Sequence, residues 1–413
     1  VNAAATRLAE IGQTVPPAGS GVFPVFLHAG GDTCLFPAMC AMRCCLALPV
    51  LWFLVVPVIA CPLSARSGLG GRRCGAIFAG RGRFVDPAGE ERFRIMFPEA
   101  VPATLPFPDR FRCVGVFAPA GCPDRIALAR GLRGLRRAGL RVVWRPSGPL
   151  PDRYLAGTDN ARAAALNTLL GDARVDLLMA ARGGFGCTRL LDRIDWPLWR
   201  RRGLPLIGYS DVSALHLAGL RAGMCCAGVS GPLVAVELGR AAVPAAAWNL
   251  TADWFRSVWT RVEALDFPNG TPLRVLREGH CQGALVPANL SVLAALLGTD
   301  YFPDLRDTIL VLEDVNEPSY RIDRCLTQLR QAGVLGRLSG CLFGRFSGTE
   351  DPEWLPAVLA EAAAAVAGPV AEGLPFGHCF PSLSLPVGGR ARLLTGAGRV
   401  RLGWDAFSCG QAG

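Results

Sequence analysis

The chain has 413 residues, 51% of them hydrophobic and 18% charged; this supplies a large core, suits two to three domains and excludes an intrinsically disordered protein. The formal net charge is +10, carried entirely by arginine, because the sequence contains no lysine. That absence excludes a Walker-type phosphate lysine, a Schiff base and a Ser-Lys dyad, and the scattered arginines, with no basic run or interleaved aromatic ladder, argue against a nucleic-acid partner.

Residues 1–110 are rich in Pro, Gly and Cys and show little periodicity. They are expected to stay outside the fold, as disordered or non-native sequence. Within them an uncharged run extends from Cys44 to Cys61, flanked by Arg43 and Arg66. At about 18 residues it reaches the lower limit for a membrane span, and its prolines weaken that reading. A signal peptide starting at Met39 or Met42 is the second reading, with Val58 to Cys61 similar to a lipoprotein processing site. A folded extension is the third. A membrane partner is expected only if this segment is a signal or anchor. Six of the sixteen cysteines lie in the first 74 residues. No CxxC pair or zinc-finger spacing is present, so a metal is not expected and the thiols read as free in a reducing compartment.

From Cys113 the pattern becomes regular. Cys113 to Ala118 is a short apolar run closed by Pro119-Ala-Gly121, which predicts a buried strand and a turn. Residues 125–138 predict a helix with Ile126, Leu128, Leu132 and Leu135 on one face, stopped by Gly139. Leu140 to Trp144 is the next strand. Asp159 caps a helix to about Leu170. Val175 to Ala180 is a strand leading into Arg182-Gly-Gly-Phe-Gly186. Leu204 to Gly208 is another, followed at once by Tyr209-Ser210-Asp211 and an apolar helix from Val212 to Leu220. Alternating units of this length imply a parallel sheet covered by helices, over residues 111–240.

Residues 241–270 carry Trp248, Trp254 and Trp259 and read as a helix and a crossover. A second α/β block, 271–413, follows. Residues 289–297 are helical, 308–312 form a strand ending in Glu313, 320–332 a helix, 341–346 a strand and 353–367 an Ala-rich helix. Residues 382–402 read as short strands and turns. The expected architecture is therefore α/β: a Rossmann-like N-terminal parallel sheet flanked by helices, and a smaller C-terminal α/β domain with short strands.

Functional groups of open α/β sheets gather at the carboxyl ends of strands. Three ends here are unusual. Ser210 stands between a buried strand and a helix, the setting of a nucleophile elbow, where the helix N-terminus offers N–H groups to an oxyanion; Ser-Asp is also an ordinary N-cap. The glycines of 182–186 allow close approach of a ligand and equally make a plain turn. The carboxylates of Glu313, Asp314 and Glu317 could orient a histidine, bind a metal or face water. A serine nucleophile needs a base, and only four histidines exist. His28 lies in the extension, and His216 is mid-helix and suited to packing. His280 and His378 remain, with the loop setting of His378 favoured.

Six segments occur in an order that resembles one family: Ala181 to Gly186, Ile194-Asp-Trp196, Ile207-Gly-Tyr-Ser-Asp211, Leu312-Glu-Asp-Val-Asn-Glu317, Tyr320-Arg-Ile-Asp-Arg324 and Phe376-Gly-His378. Together they resemble the LD-carboxypeptidases, or murein tetrapeptide carboxypeptidases, which include the microcin C self-immunity peptidases. The resemblance runs from about Val114 to about Leu402. It implies a metal-free, cofactor-free serine peptidase that removes the terminal D-Ala from murein tetrapeptides at the meso-diaminopimelate–D-Ala bond. It assigns Ser210 as nucleophile, His378 as base and Glu313 as its orienting carboxylate, with the N–H groups of Gly184 and Asp211 as oxyanion donors. Arg182, Phe185 and Asn289 are expected to touch substrate. The family often has Gly-Gly-Asn-Leu where this chain has Pro287-Ala-Asn-Leu290, which bears on the substrate floor, and nothing in it corresponds to residues 1–110.

The same resemblance implies a cytoplasmic enzyme acting on recycled muropeptides; a homodimer is a candidate assembly that the sequence does not fix. One alternative is a microcin-type peptidase cleaving an aminoacyl-nucleotide amide. That branch tends to carry an extra aromatic-bearing loop between its domains, and the Trp-containing stretch here is short. The other alternative is a non-catalytic ligand-binding α/β protein.

Overall fold

The computed structural model describes residues 104–407, except 149–150, 266 and 268–269, together with the backbone of five short strands before them. The segment 44–61 lies outside the described residues. Among the described residues no helix is long and apolar enough to cross a membrane. Residues 78–413 form one compact unit. The fold begins earlier than residue 111: Leu105 and Phe111 are buried, and the indole of Trp248 donates to the Thr104 carbonyl at 2.9 Å. Ala100–Val101 also pairs with Val243–Pro244.

The first sheet comprises β1 (Cys113–Phe117), β2 (Arg141–Arg145), β3 (Leu177–Ala180), β4 (Leu206–Ile207) and β5 (Gly228–Ser230), all parallel to their neighbours, in the order β5-β4-β3-β1-β2. Residues of β1, β3, β4 and β5 are buried throughout, which is why they read as continuous apolar runs rather than alternating ones. The connections are α1 (Arg125–Arg137), α2 (Asp159–Gly171), α3 (Trp196–Arg202) and α4 (Ser213–Arg221). Asp124 caps α1 by accepting from the Ala127 N–H at 2.8 Å, and Gly139 follows its end at φ +88°. Thr158, not Asp159, caps α2. Asp159 is instead occupied with arginines, as described below.

Helix α5 (Ala245–Ser257) leads to the second sheet. Its strands are β6 (Arg274–Arg277), β7 (Gly279–Asn289), β8 (Thr308–Val315), β9 (Gly340–Ser347), β10 (Val370–Glu372), β12 (Arg390–Gly396) and β13 (Arg399–Trp404), with β11 (Leu385–Val387) set apart. The order is β6-β10-β9-β8-β7-β12-β13. The central β10-β9-β8-β7 pairs are parallel, whereas β6, β12 and β13 add antiparallel edges. Helices α6 (Leu290–Leu296), α7 (Ser319–Gln331) and α8 (Leu355–Ala364) cover it. This sheet has seven strands, one of eleven residues. Along β7 exposed and half-buried residues precede a fully buried end, so no single period holds.

Strand β11 departs from the expected boundaries. The chain leaves the second sheet after β10, pairs β11 antiparallel to β5 of the first sheet (Gly228 opposite Val387), then returns as β12. One apolar cluster also runs through both sheets: Leu215 and Leu217 of α4 share it with Leu290 and Leu293 of α6, Leu312 of β8 and Phe343 of β9. Burying each such side chain contributes about 1.5–3 kcal/mol. The carboxyl ends of β3 and β4 are thereby held against those of β7 and β8.

Candidate active site

Ser210 follows β4 after Gly208-Tyr209 and opens a single 3-10 turn, Ser210–Val212, that runs into α4. Its φ is +65°, a left-handed value on a residue with a side chain. Such strain of about 1–3 kcal/mol persists only where the surroundings enforce it. The N-cap of that turn is Tyr209 and that of α4 is Val212, neither with a side-chain cap hydrogen bond, so Ser210 is not an ordinary N-cap. A methyl on Gly183 would sit 2.9 Å from the Ser210 Cβ and 3.0 Å from its Oγ. The glycine run of 182–186 therefore lets the backbone pass directly beside the hydroxyl.

Two buried groups fix that passing loop. Asp211, 3% exposed, accepts through Oδ2 from the Cys187 N–H at 2.8 Å, joining the serine turn to the glycine loop. Burial pushes its carboxyl above the usual range. Arg162 of α2 is fully buried. Its Nε donates to the Gly157 carbonyl at 3.1 Å and its Nη1 to the Gly186 carbonyl at 2.9 Å. It also bonds the Pro119 carbonyl and Asp159. Asp159 in turn pairs with Arg189 at 2.7 Å. The sequence signal for Arg162 was slight: an arginine on an Ala- and Leu-rich helix, at a position that packs inward.

Glu313, 1% exposed, lies within β8 rather than beyond its end, and Asp314 beside it is 3% exposed. Both are thus withdrawn from water, whereas Glu317 is half-buried and pairs with Arg321 at 2.9 Å. His378 lies on the loop between β10 and β11. Its Nδ1 donates to Glu313 Oε2 at 2.7 Å, and its backbone N–H reaches the same oxygen at 3.2 Å. With Nδ1 committed as donor, Nε2 accepts from the Ser210 hydroxyl at 3.1 Å. Ser347 Oγ donates to the His378 carbonyl at 3.1 Å.

Burial pulls the His378 imidazole down, but the hydrogen bond and charge of Glu313, with Asp314 and Glu237 behind it, outweigh that and raise it above 6.5. The Tyr209 ring lies 4.9 Å from the imidazole. Among the described residues no cluster of three metal-ligating side chains occurs.

Gly377, just before His378, has φ +99°, and a Cβ there would sit 2.4 Å from Glu313 Oε2. Gly377→Ala is therefore expected to displace the Glu313–His378 pair. It should lower stability by about 1–3 kcal/mol and activity about a hundredfold, as an ångström-scale misplacement of a reacting group does. Thermal unfolding and turnover of the same preparation check both numbers.

The remaining sequence candidates fall in different places. Arg182 and Phe185 are exposed on the glycine loop; Arg182 Nη1 donates to the Cys122 carbonyl at 2.8 Å, and Phe185 meets Tyr154 edge-on at 5.7 Å. Asn289, expected at a substrate contact, is 4% exposed. It caps α6, and its Nδ2 donates to Glu313 Oε1 at 3.2 Å and Asp314 Oδ1 at 2.9 Å. Its amide therefore faces the carboxylates rather than the cleft. His280 is exposed on β7, opposite Leu394 and nine residues before Asn289, roughly 30 Å along an extended strand. His216 is buried, with Nε2 3.0 Å from the Leu206 carbonyl, and burial lowers its imidazole to about 4.

Sequence profiles of the LD-carboxypeptidase N-terminal and C-terminal domains match residues 114–228 and 282–393. The murein tetrapeptide carboxypeptidase of Pseudomonas aeruginosa is 33% identical over 290 residues, covering 68% of this chain and 92% of that one. The crystal structure of the muramoyltetrapeptide carboxypeptidase of Oxalobacter formigenes superposes with a TM-score of 0.62 at 28% identity, over 71% of this chain and 99% of that one. A structure of the microcin C7 self-immunity protein, an active-site variant in which a serine, an asparagine and a lysine are replaced by alanine, superposes at 0.66 with 20% identity, over 74% of this chain and 99% of that one, and shows the shared fold.

Proposed function

The chain belongs to the LD-carboxypeptidase family, and from that premise we propose that it removes the terminal D-Ala from murein tetrapeptides by acyl transfer through Ser210. The observation that supports this reading best is the continuous hydrogen-bond path from Ser210 through His378 to buried Glu313, at 3.1 and 2.7 Å. His378 takes the hydroxyl proton as Ser210 attacks the carbonyl of the diaminopimelate–D-Ala bond. The N–H groups of Gly184 and Asp211 hold the tetrahedral oxyanion, and Glu313 stabilises the imidazolium. His378 then gives its proton to the departing amine of D-Ala. Water, deprotonated by the same imidazole, releases the tripeptide and restores Ser210. Arg182 and Phe185, exposed beside the nucleophile, are the candidate contacts for the rest of the substrate.

Buried free thiols at Cys113, Cys187 and Cys341 suit a reducing compartment, in line with a cytoplasmic role in murein recycling. The microcin-type reading is less favoured, because that protein's active-site variant replaces a lysine and this chain has none.

Assaying D-Ala release from murein tetrapeptide beside hydrolysis of an aminoacyl-sulfamoyl adenylate separates the two. Turnover of the tetrapeptide is expected to dominate, and preferential cleavage of the adenylate would sink the murein reading. The same tetrapeptide assay carries a pH signature. The reaction needs neutral His378, whose raised pKa places the acid limb of kcat/KM above pH 6.5. Activity should fall as pH drops through that limb.

A further inference from the structure

Glu237 is not used in the steps above, yet it is 4% exposed and carries two hydrogen bonds. Its Oε1 accepts from the Tyr209 hydroxyl at 2.9 Å, and its Oε2 accepts from the Leu233 N–H at 2.8 Å. Burial pushes the Glu237 carboxyl above its usual range, while the two hydrogen bonds it accepts favour the ionised form. Burial and Glu237 together keep the Tyr209 phenol well above its ordinary pKa, so it stays a donor. Tyr209 directly precedes Ser210, and its ring lies 4.9 Å from that of His378. Tyr209, Glu237 and Gly377 also share a narrow cavity with Ser230, Phe376 and Ser382.

We propose that Glu237 is a positioning residue that anchors Tyr209 as a wall for His378 and adds a buried negative charge to those of Glu313 and Asp314 behind the imidazole. The role rests on the reading of His378 as general base. Its physical content is separate. Held by its hydroxyl, the Tyr209 ring limits how far His378 can swing from Ser210, and the Glu237 charge favours imidazolium, the form present while the oxyanion exists. The groups that set this balance are Glu313 and Asp314 from β8, Tyr209 from the loop after β4, Cys379 beside the histidine, and Arg240 near Glu237.

The test titrates the His378 ring by NMR, its resonance assigned by loss in His378→Ala, in the intact chain and in Glu237→Gln, with kcat and KM measured alongside. Glu237→Gln keeps the side-chain shape and removes the charge. The His378 proton affinity is expected to fall at least about threefold, as loss of one nearby buried anion implies, with kcat about tenfold lower and KM within about twofold. Tyr209→Phe, which keeps the ring and cuts the anchor, should move the titration the same way and stands in if Glu237→Gln does not fold. A titration unchanged in the folded variant overturns the proposal. A lowered titration with unchanged kcat supports the anchoring and charge of Glu237 but removes His378 from the base role.

Discussion

Ser210→Ala should reduce D-Ala release by at least about ten-thousand-fold while leaving the fold intact, because nucleophile and base act as one unit and little remains when either is lost. His378→Ala should cost nearly as much, and the double variant little more than either single one. The stability of these variants is equally informative. Ser210 holds φ +65°, a conformation that glycine adopts without penalty. Ser210→Gly is therefore expected to be inactive yet more stable than the parent, by about 1 kcal/mol. Measuring Tm and D-Ala release on one preparation decides this. If Ser210→Ala released D-Ala at the parental rate, the assignment of the nucleophile would fall, and a ligand-binding role would return.

Arg162→Ala should destabilise the protein by about 3–5 kcal/mol, the range for removing one partner from a buried ion pair. The guanidinium is fully buried and ties together the carbonyls of Pro119, Gly157 and Gly186 and the carboxylate of Asp159. Its removal leaves buried carbonyls without a donor at about 1–3 kcal/mol each, although Asp159 keeps Arg189. Arg162→Met, which refills the space without the charge, should recover only the packing part. Chemical denaturation of the three proteins measures the difference. Because Gly186 belongs to the loop beside Ser210, surviving folded protein should also show weakened turnover.

Much of this was legible in the sequence where one residue type has one physical reason. The buried parallel strands β1, β3 and β4 are apolar runs of the right length, and Gly139 marked a helix end by its left-handed φ. The lack of lysine narrowed the base to histidine, and the loop setting of His378 agrees with its 3.1 Å approach to Ser210. Other features depend on distant partners. That Glu313 and Asp314 are fully buried while Glu317 is half-buried and paired with Arg321 follows from where β8 ends, which the clustered carboxylates did not reveal. Asn289 looked like a substrate group but is turned inward by two carboxylates one strand away. Arg162 gave only the slight signal of an inward position on an Ala- and Leu-rich helix, and Glu237 gave none; the loops that fold over them from elsewhere make them structural.

The excursion of β11 into the first sheet has a kinetic consequence. Gly228 and Val387 are partners across 387 − 228 = 159 residues, and contacts of such separation close late because loop closure is slow and entropically costly. His378 lies only seven residues before β11. The serine turn is built where a strand, turn and helix close in sequence, while His378 is placed by a pairing of much longer range. Activity in a refolding experiment should consequently lag behind recovery of secondary structure, and a chain ended before Leu385 should keep an open edge at β5 and lack a fixed histidine. Peptide cleavage is thus expected only once nearly the whole polypeptide has found its place.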